Sequence, residues 1–230
     1  MAKTRKAGAA GMAGPNASPS DGMLPADYVR ARRLLARRDP VIGALMRTHG
    51  ACGLARAQRE DPFHVLVQAI ISQQLSTKAA RTIGRRLVEL HGGVLTPQAV
   101  AATPDLALRG VGLSSQKLRY LRDLCAKVQD GSLMLHSLTG MSDSDVIAAL
   151  TQVKGIGRWT AEMFLMFRLH RPDVLPVGDL GILKAVQQVY GLRKPPTAAR
   201  LTEIGEPWRP YRSVACWYLW ASLGNPPGGA

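Results

Sequence analysis

From Pro25 onward the same punctuation recurs: a capping side chain or a proline, then apolar residues at spacings of three and four. In DPFHVLVQAIISQQ, Asp61 stands where an N-cap belongs, and Pro62 at the first helical position, where its missing N–H is no loss. Ser76 is placed to cap TKAARTIGRRLVELHGG, and the glycine pair to end it. TPQAVAAT and TPDLALRG repeat a Thr-Pro helix start. SSQKLRYLRDLCAKVQDG puts Leu118, Leu121, Leu124, Cys125 and Val128 on one side of a helix. In SDSDVIAAL, Ser142 and Asp145 have capping-box spacing, with Asp where Glu is usual. No segment alternates apolar and polar residues between hairpin turns. The pattern predicts an all-α chain of many short helices.

With 230 residues, 46% of them hydrophobic, the chain can bury a real core. Its formal net charge of +14 and pI of about 10.4 point to a polyanionic partner. The three cysteines, Cys52, Cys125 and Cys216, are too few and too scattered for a zinc quartet or an iron–sulfur cluster. They fit reduced thiols in a cytosolic or nuclear compartment. No apolar run is long enough to span a bilayer, so a membrane partner is not expected. Residues 1–23 are rich in Ala, Gly, Ser and Pro, carry Lys3, Arg5 and Lys6, and read as a disordered basic tail.

The segment VKGIGRWTAEMF, Val153 to Phe164, carries the densest signal. One helix should end near Thr151 or Gln152 and the next start near Gly157 or Arg158. Gly155 and Gly157 leave the main chain bare, and Ile156 between them can plug into the core. The free N–H groups of the second helix, its dipole, and the flanking Lys154 and Arg158 suit a phosphate. Such a contact sets register on a duplex without reading sequence. A plain αα-hairpin turn fits the glycines equally well; the net charge favours phosphate.

LTQVKGIGRWTAEMFLMF followed by DVLPVGDLGILKAV resembles the helix-hairpin-helix and Gly/Pro-Asp segments of the HhH-GPD superfamily of base-excision DNA glycosylases. Within it the chain is most similar to the 3-methyladenine DNA glycosylase II (AlkA) type. The resemblance runs from about Asp61 to Trp220 and includes IISQQLSTKAA, GLSSQKLRYLRDL and WRPYRSVACWYLW. It implies a two-lobed helical fold over residues 24–230 with a cleft between the lobes. The central lobe spans about 61–177 with the hairpin at 151–160, and the second lobe is built from 24–60 and 178–230.

The resemblance also implies a chemistry. The catalytic aspartate of the family falls on Asp179, whose other reading is the N-cap of the following helix; the two roles are compatible. Asp173, the near rival, lies before the LPVGD segment. Breaking an N-glycosidic bond develops positive charge on the sugar, which a fixed carboxylate can stabilise. An alkylated purine carries charge of its own, and an aromatic wall attracts it. Trp159 and Trp220 match pocket aromatics, while Met163 stands where some members have another aromatic. Members that also cleave the backbone carry a Schiff-base lysine in the slot filled here by Trp159, so the expected enzyme is a monofunctional hydrolase. Gln74 aligns with the wedge that replaces the flipped nucleotide, and Gln73 with its neighbour. Lys154, Gly155, Gly157, Arg158 and Thr160 would hold the DNA backbone. Carbonyls of Thr151, Val153 and Ile156 would hold a monovalent cation, Na or K; no other cofactor and no iron–sulfur cluster is expected. Lys117 and Arg212 are further phosphate contacts or ordinary charges, with a brace inside the protein equally open for Arg212.

The expected protein is thus a monomeric glycosylase acting on damaged bases in double-stranded DNA. It would work in the cytoplasm of a bacterium, with the nucleoid, or in a nucleus. A glycosylase of the superfamily for another lesion class, and a DNA-binding module without catalysis, are the alternatives.

Overall fold

The computed structural model describes residues 22–56 and 60–224. All regular structure among them is helical. The main helices are α1 (Pro25–Arg38), α2 (Pro40–His49), α3 (Pro62–Ser72), α4 (Thr77–Leu90), α5 (Pro97–Ala102), α6 (Asp105–Gly110), α7 (Ser115–Gln129), α8 (Asp143–Thr151), α9 (Arg158–Phe167), α10 (Leu180–Val189), α11 (Ala198–Ile204) and α12 (Arg212–Ser222). None is long and apolar enough to cross a membrane.

Helix packing falls into two groups. Helices α3 to α9 pack among themselves, while α1, α2, α10 and α12 pack together with the short 3-10 turns beside them. The stretch 169–174 ties the two groups: Ser213 N–H donates to the Pro172 carbonyl at 3.0 Å, and Ser213 Oγ donates to the Arg171 carbonyl at 2.7 Å. Buried apolar side chains run on from one group of helices into the other as a continuous core.

Most of the helix starts arise as the caps dictate. Asp61, Ser76, Ser114 and Thr197 each accept a first-turn N–H. Two expectations need correction. Thr103 does not start α6: Pro104 is its N-cap, and the Thr103 hydroxyl turns back to the Ala99 carbonyl at 2.9 Å, closing α5. At α8, Ser142 caps the Asp145 N–H, but the Asp145 carboxylate accepts the Ser142 hydroxyl at 2.7 Å rather than the N-cap amide. The expected tail, residues 1–23, lies outside the described residues up to position 21. Its last two residues are packed: Met23 N–H donates to the His170 carbonyl at 3.0 Å, and a Cβ on Gly22 would fall 2.4 Å from the Leu169 carbonyl oxygen. The folded domain therefore starts slightly earlier than the tail reading supposed.

Asp39 organises the second group of helices. It is buried, caps α2 through the Val41 and Ile42 N–H groups, and accepts the Tyr190 hydroxyl at 2.5 Å and the Trp208 indole N–H at 2.8 Å. Trp208 is fully buried. Asp39→Ala removes a cap and strands two buried donors, so it should destabilise the fold by about 3–5 kcal/mol in urea unfolding. A loss under about 1 kcal/mol would contradict this account of the group.

Candidate active site

The segment Pro176–Asp179 is a tight turn, closed by the Asp179 N–H to the Pro176 carbonyl at 3.0 Å. It delivers Asp179 to the N-cap of α10 with only 7% of its surface exposed. Oδ1 accepts the Ile182 N–H at 2.7 Å and the Trp220 indole N–H at 3.0 Å. Oδ2 accepts the Trp159 indole N–H at 2.6 Å. Each partner is an N–H donor, the kind of partner a carboxylate needs where water is excluded. Gly181 makes room for this cluster: a Cβ there would lie 3.0 Å from Oδ1 and 3.2 Å from the Trp220 ring. Cap and site residue are the same group, as the sequence allowed.

Trp159 joins the carboxylate to a cavity of about 380 Å³, within the size range of small-ligand sites. Its walls include Trp159, Met163, Phe164 and Phe167 from α9, with Gln73 and Gln74 at one side. Trp159, Met163 and Phe167 follow one another at helical spacing, a stripe readable in the sequence though only its first two members were singled out. Trp220, expected on this wall, does not line the cavity. It is buried, with its ring 6.1 Å from that of Phe167, and it meets Asp179 instead. The contact the structure gives it is with the carboxylate.

The hairpin forms at the expected bounds. α8 ends at Thr151, α9 starts at Arg158, and Val153 and Ile156 are buried. Gly155 has φ of +83°, and a Cβ there would lie 2.2 Å from the Tyr120 ring, so both backbone angle and packing demand glycine. No side chain caps α9, and the N–H groups of Arg158, Trp159 and Thr160 find no partner among the described residues. That first turn is where the sequence suggested an anion site, and its N–H groups are uncapped. Its cations are less free than expected. Lys154 gives its backbone N–H to Asp123 at 2.9 Å and has its ammonium 3.9 Å from the same carboxylate. Arg158 donates to Glu162 at 2.9 Å. Burial pushes the Glu162 carboxyl up from its ordinary range, Arg158 opposes this, and the nearby Asp179 charge adds to it. Thr160, expected to hold the DNA backbone, also lines the cavity.

Gln74 is exposed at a left-handed φ of 57°. Gln73 is not a free finger: its Nε2 donates to the Gly155 carbonyl at 2.6 Å and ties the two loops together. Lys117 is buried rather than a surface charge, and its ammonium donates to the carbonyls of Ile70, Ile71 and Gln73 at 2.9, 2.7 and 2.7 Å. Arg212 is a brace, with Nε on Asp173 Oδ1 at 2.7 Å and Nη2 on Oδ2 at 3.0 Å. Arg209 adds a contact to Asp173 at 2.6 Å, which leaves that residue structural. The thiols offer no nucleophile, since burial pushes Cys52 up to about 12 and Cys125 to about 11.

Residues 67–210 match the family model for the HhH-GPD superfamily base excision DNA repair protein. The chain belongs to the HhH-GPD superfamily. It is 34% identical over 166 residues to DNA-3-methyladenine glycosylase 1 of Schizosaccharomyces pombe, covering 71% of this chain and 73% of that one. Among solved structures, it is similar to the crystal structure of DNA-3-methyladenine glycosidase from Bacillus halodurans, with 38% identity and a TM-score of 0.75 over 84% of this chain and 89% of that one. It is also similar to S. pombe 3-methyladenine DNA glycosylase Mag1 in complex with abasic DNA, with 32% identity and a TM-score of 0.74 over 85% and 97% of the two chains. The HhH-GPD match spans both the hairpin and the turn that carries Asp179.

Proposed function

We propose that this chain is a monofunctional DNA glycosylase that flips out alkylated bases such as 3-methyladenine from double-stranded DNA and hydrolyses their N-glycosidic bonds. The observation that carries the reading is Asp179, held at the end of α10 by the indole N–H groups of Trp159 and Trp220. Trp159 belongs at once to that clamp and to the aromatic cavity. The relatives named as 3-methyladenine glycosylases support it, and the abasic DNA bound to one of them is what base removal leaves behind.

The proposed course is as follows. The uncapped turn of α9 takes backbone phosphate and sets the register. Gln74 fills the gap left by the flipped nucleotide. The cationic base lies in the cavity beside Trp159 and Phe167, whose aromatic rings suit a cation. As the bond to the base lengthens, Asp179 stabilises the positive sugar and orients the attacking water. The damaged base is already charged, so it leaves as a neutral molecule without a strong general acid. Thr151, Val153 and Ile156 would hold a monovalent cation by their carbonyls, near the negative end of α8, which stiffens the turn. The protein works as a monomer where DNA is kept, in a bacterial cytoplasm or a nucleus.

A duplex carrying 3-methyladenine, incubated with the protein and run on a denaturing gel, tests the reaction type. The strand should stay whole until hot alkali is added and then break at the lesion. Breakage without alkali would show lyase activity and overturn the monofunctional assignment.

A further inference from the structure

Residues Ser72 to Leu75 form a tight turn at the end of α3. The Leu75 N–H donates to the Ser72 carbonyl at 3.2 Å, Gln73 has φ −56° and ψ 126°, and Gln74 has φ 57°. These are the angles of a type II turn, whose third residue is usually Gly or Asn because its φ is positive. A side chain at that position persists only where the surroundings hold it. The peptide between the second and third residues decides the turn type: turned over, it gives type I and sends the third residue into the right-handed region. Here that peptide carries the Gln73 carbonyl, and Lys117 donates to it at 2.7 Å. The same ammonium takes the carbonyls of Ile70 and Ile71 at the negative end of α3.

Lys117 is one of three residues of α7 that lie at successive spacings of three and hold the neighbouring loops. The Tyr120 ring packs on Gly155, and Asp123 takes the Lys154 N–H at 2.9 Å. Gln73 then bridges the two loops through its bond to the Gly155 carbonyl. The α3 turn and the phosphate turn of the hairpin are therefore both fixed to one rigid helix.

We propose that Lys117 is a positioning residue for the wedge: by pinning the Gln73–Gln74 peptide it aims Gln74, in a register set by the hairpin's hold on the DNA backbone. This rests on the reading of Gln74 as the wedge. Lys117 touches neither base nor sugar; it acts through Gln74.

The test is a double-mutant cycle read by single-turnover base release and by the fluorescence of 2-aminopurine beside the lesion, which reports unstacking. Gln74→Ala should slow release and reduce the fluorescence change. Lys117→Met should slow release about tenfold or more in the native background, and less than about threefold on top of Gln74→Ala. Affinity for undamaged duplex should hold, since the hairpin is untouched. Equal losses from Lys117→Met in both backgrounds would overturn the proposal, because a general loss of structure does not depend on Gln74. If Gln74→Ala changes neither signal, the wedge reading itself fails and this proposal falls with it, by a result distinct from additivity. Should Lys117→Met not fold, Lys117→Arg carries the cycle, since a planar fork cannot replace a point donor among three converging carbonyls. Coupling of that variant to Gln74 supports the proposal and additivity overturns it.

Discussion

Asp179→Asn should abolish base release, by about a thousandfold or more, while leaving duplex binding within a few-fold of the native protein. The size follows from what the carboxylate meets in the transition state: positive charge on the sugar, in a site with little water to screen it. An amide keeps the shape and loses the charge. The variant is also a fair one structurally. Asn is as good an N-cap as Asp, so the Ile182 N–H keeps its acceptor and α10 its start. Only one of the two indole N–H contacts can be kept by an oxygen, and the other meets the amide nitrogen. Single-turnover release and a gel-shift titration on the same preparation separate the two effects. Release near the native rate would remove Asp179 from the mechanism.

Trp159→Phe should cut single-turnover base release by about 10- to 100-fold with little change in binding of damaged duplex. A hydrogen bond to a charged acceptor contributes about 1.5–3 kcal/mol, which is that range if it is felt fully in the transition state. Phenylalanine keeps an aromatic wall on the cavity and removes the N–H held at 2.6 Å from Asp179 Oδ2. Trp159→Ala removes wall and donor together and should weaken damaged-duplex binding as well. A phenylalanine variant as fast as the native protein would mean that only the ring matters and that Asp179 needs no clamp from α9.

What the sequence revealed was mostly local. The hairpin bounds could be read because glycines, a buried Ile156 and a missing cap are all signals within ten residues of each other. Asp179 could be read as an N-cap from the residues beside it; only the family resemblance singled it out as the catalytic carboxylate. Its indole partners could be named but not their contacts, since Trp159 and Trp220 reach it across 20 and 41 residues: Trp220 meets it when α12 packs on α10, and Trp159 only when α9 is brought against both. Trp220 was expected to face the base because the family resemblance put a pocket aromatic at its position, and the resemblance does not carry the indole bond to Asp179. Lys117 was misread for a different reason. A lysine at the border of an amphipathic stripe is by default solvated, and carbonyls that draw it inward leave no mark on residue identity. Arg158 was a missed opportunity: Glu162, one turn further on, is at the spacing where an acid pairs with it.

The central claim is hydrolytic release of alkylated bases by this chain, and the most direct measurement is of the released base itself. Duplex DNA treated with a methylating agent is incubated with native protein or with Asp179→Asn, and the small-molecule fraction is separated and identified by mass. The account predicts free 3-methyladenine from the native protein, rising with enzyme and time, and only the spontaneous background from the variant. Methylated DNA that is bound by the native protein yet sheds no base above that background would contradict it.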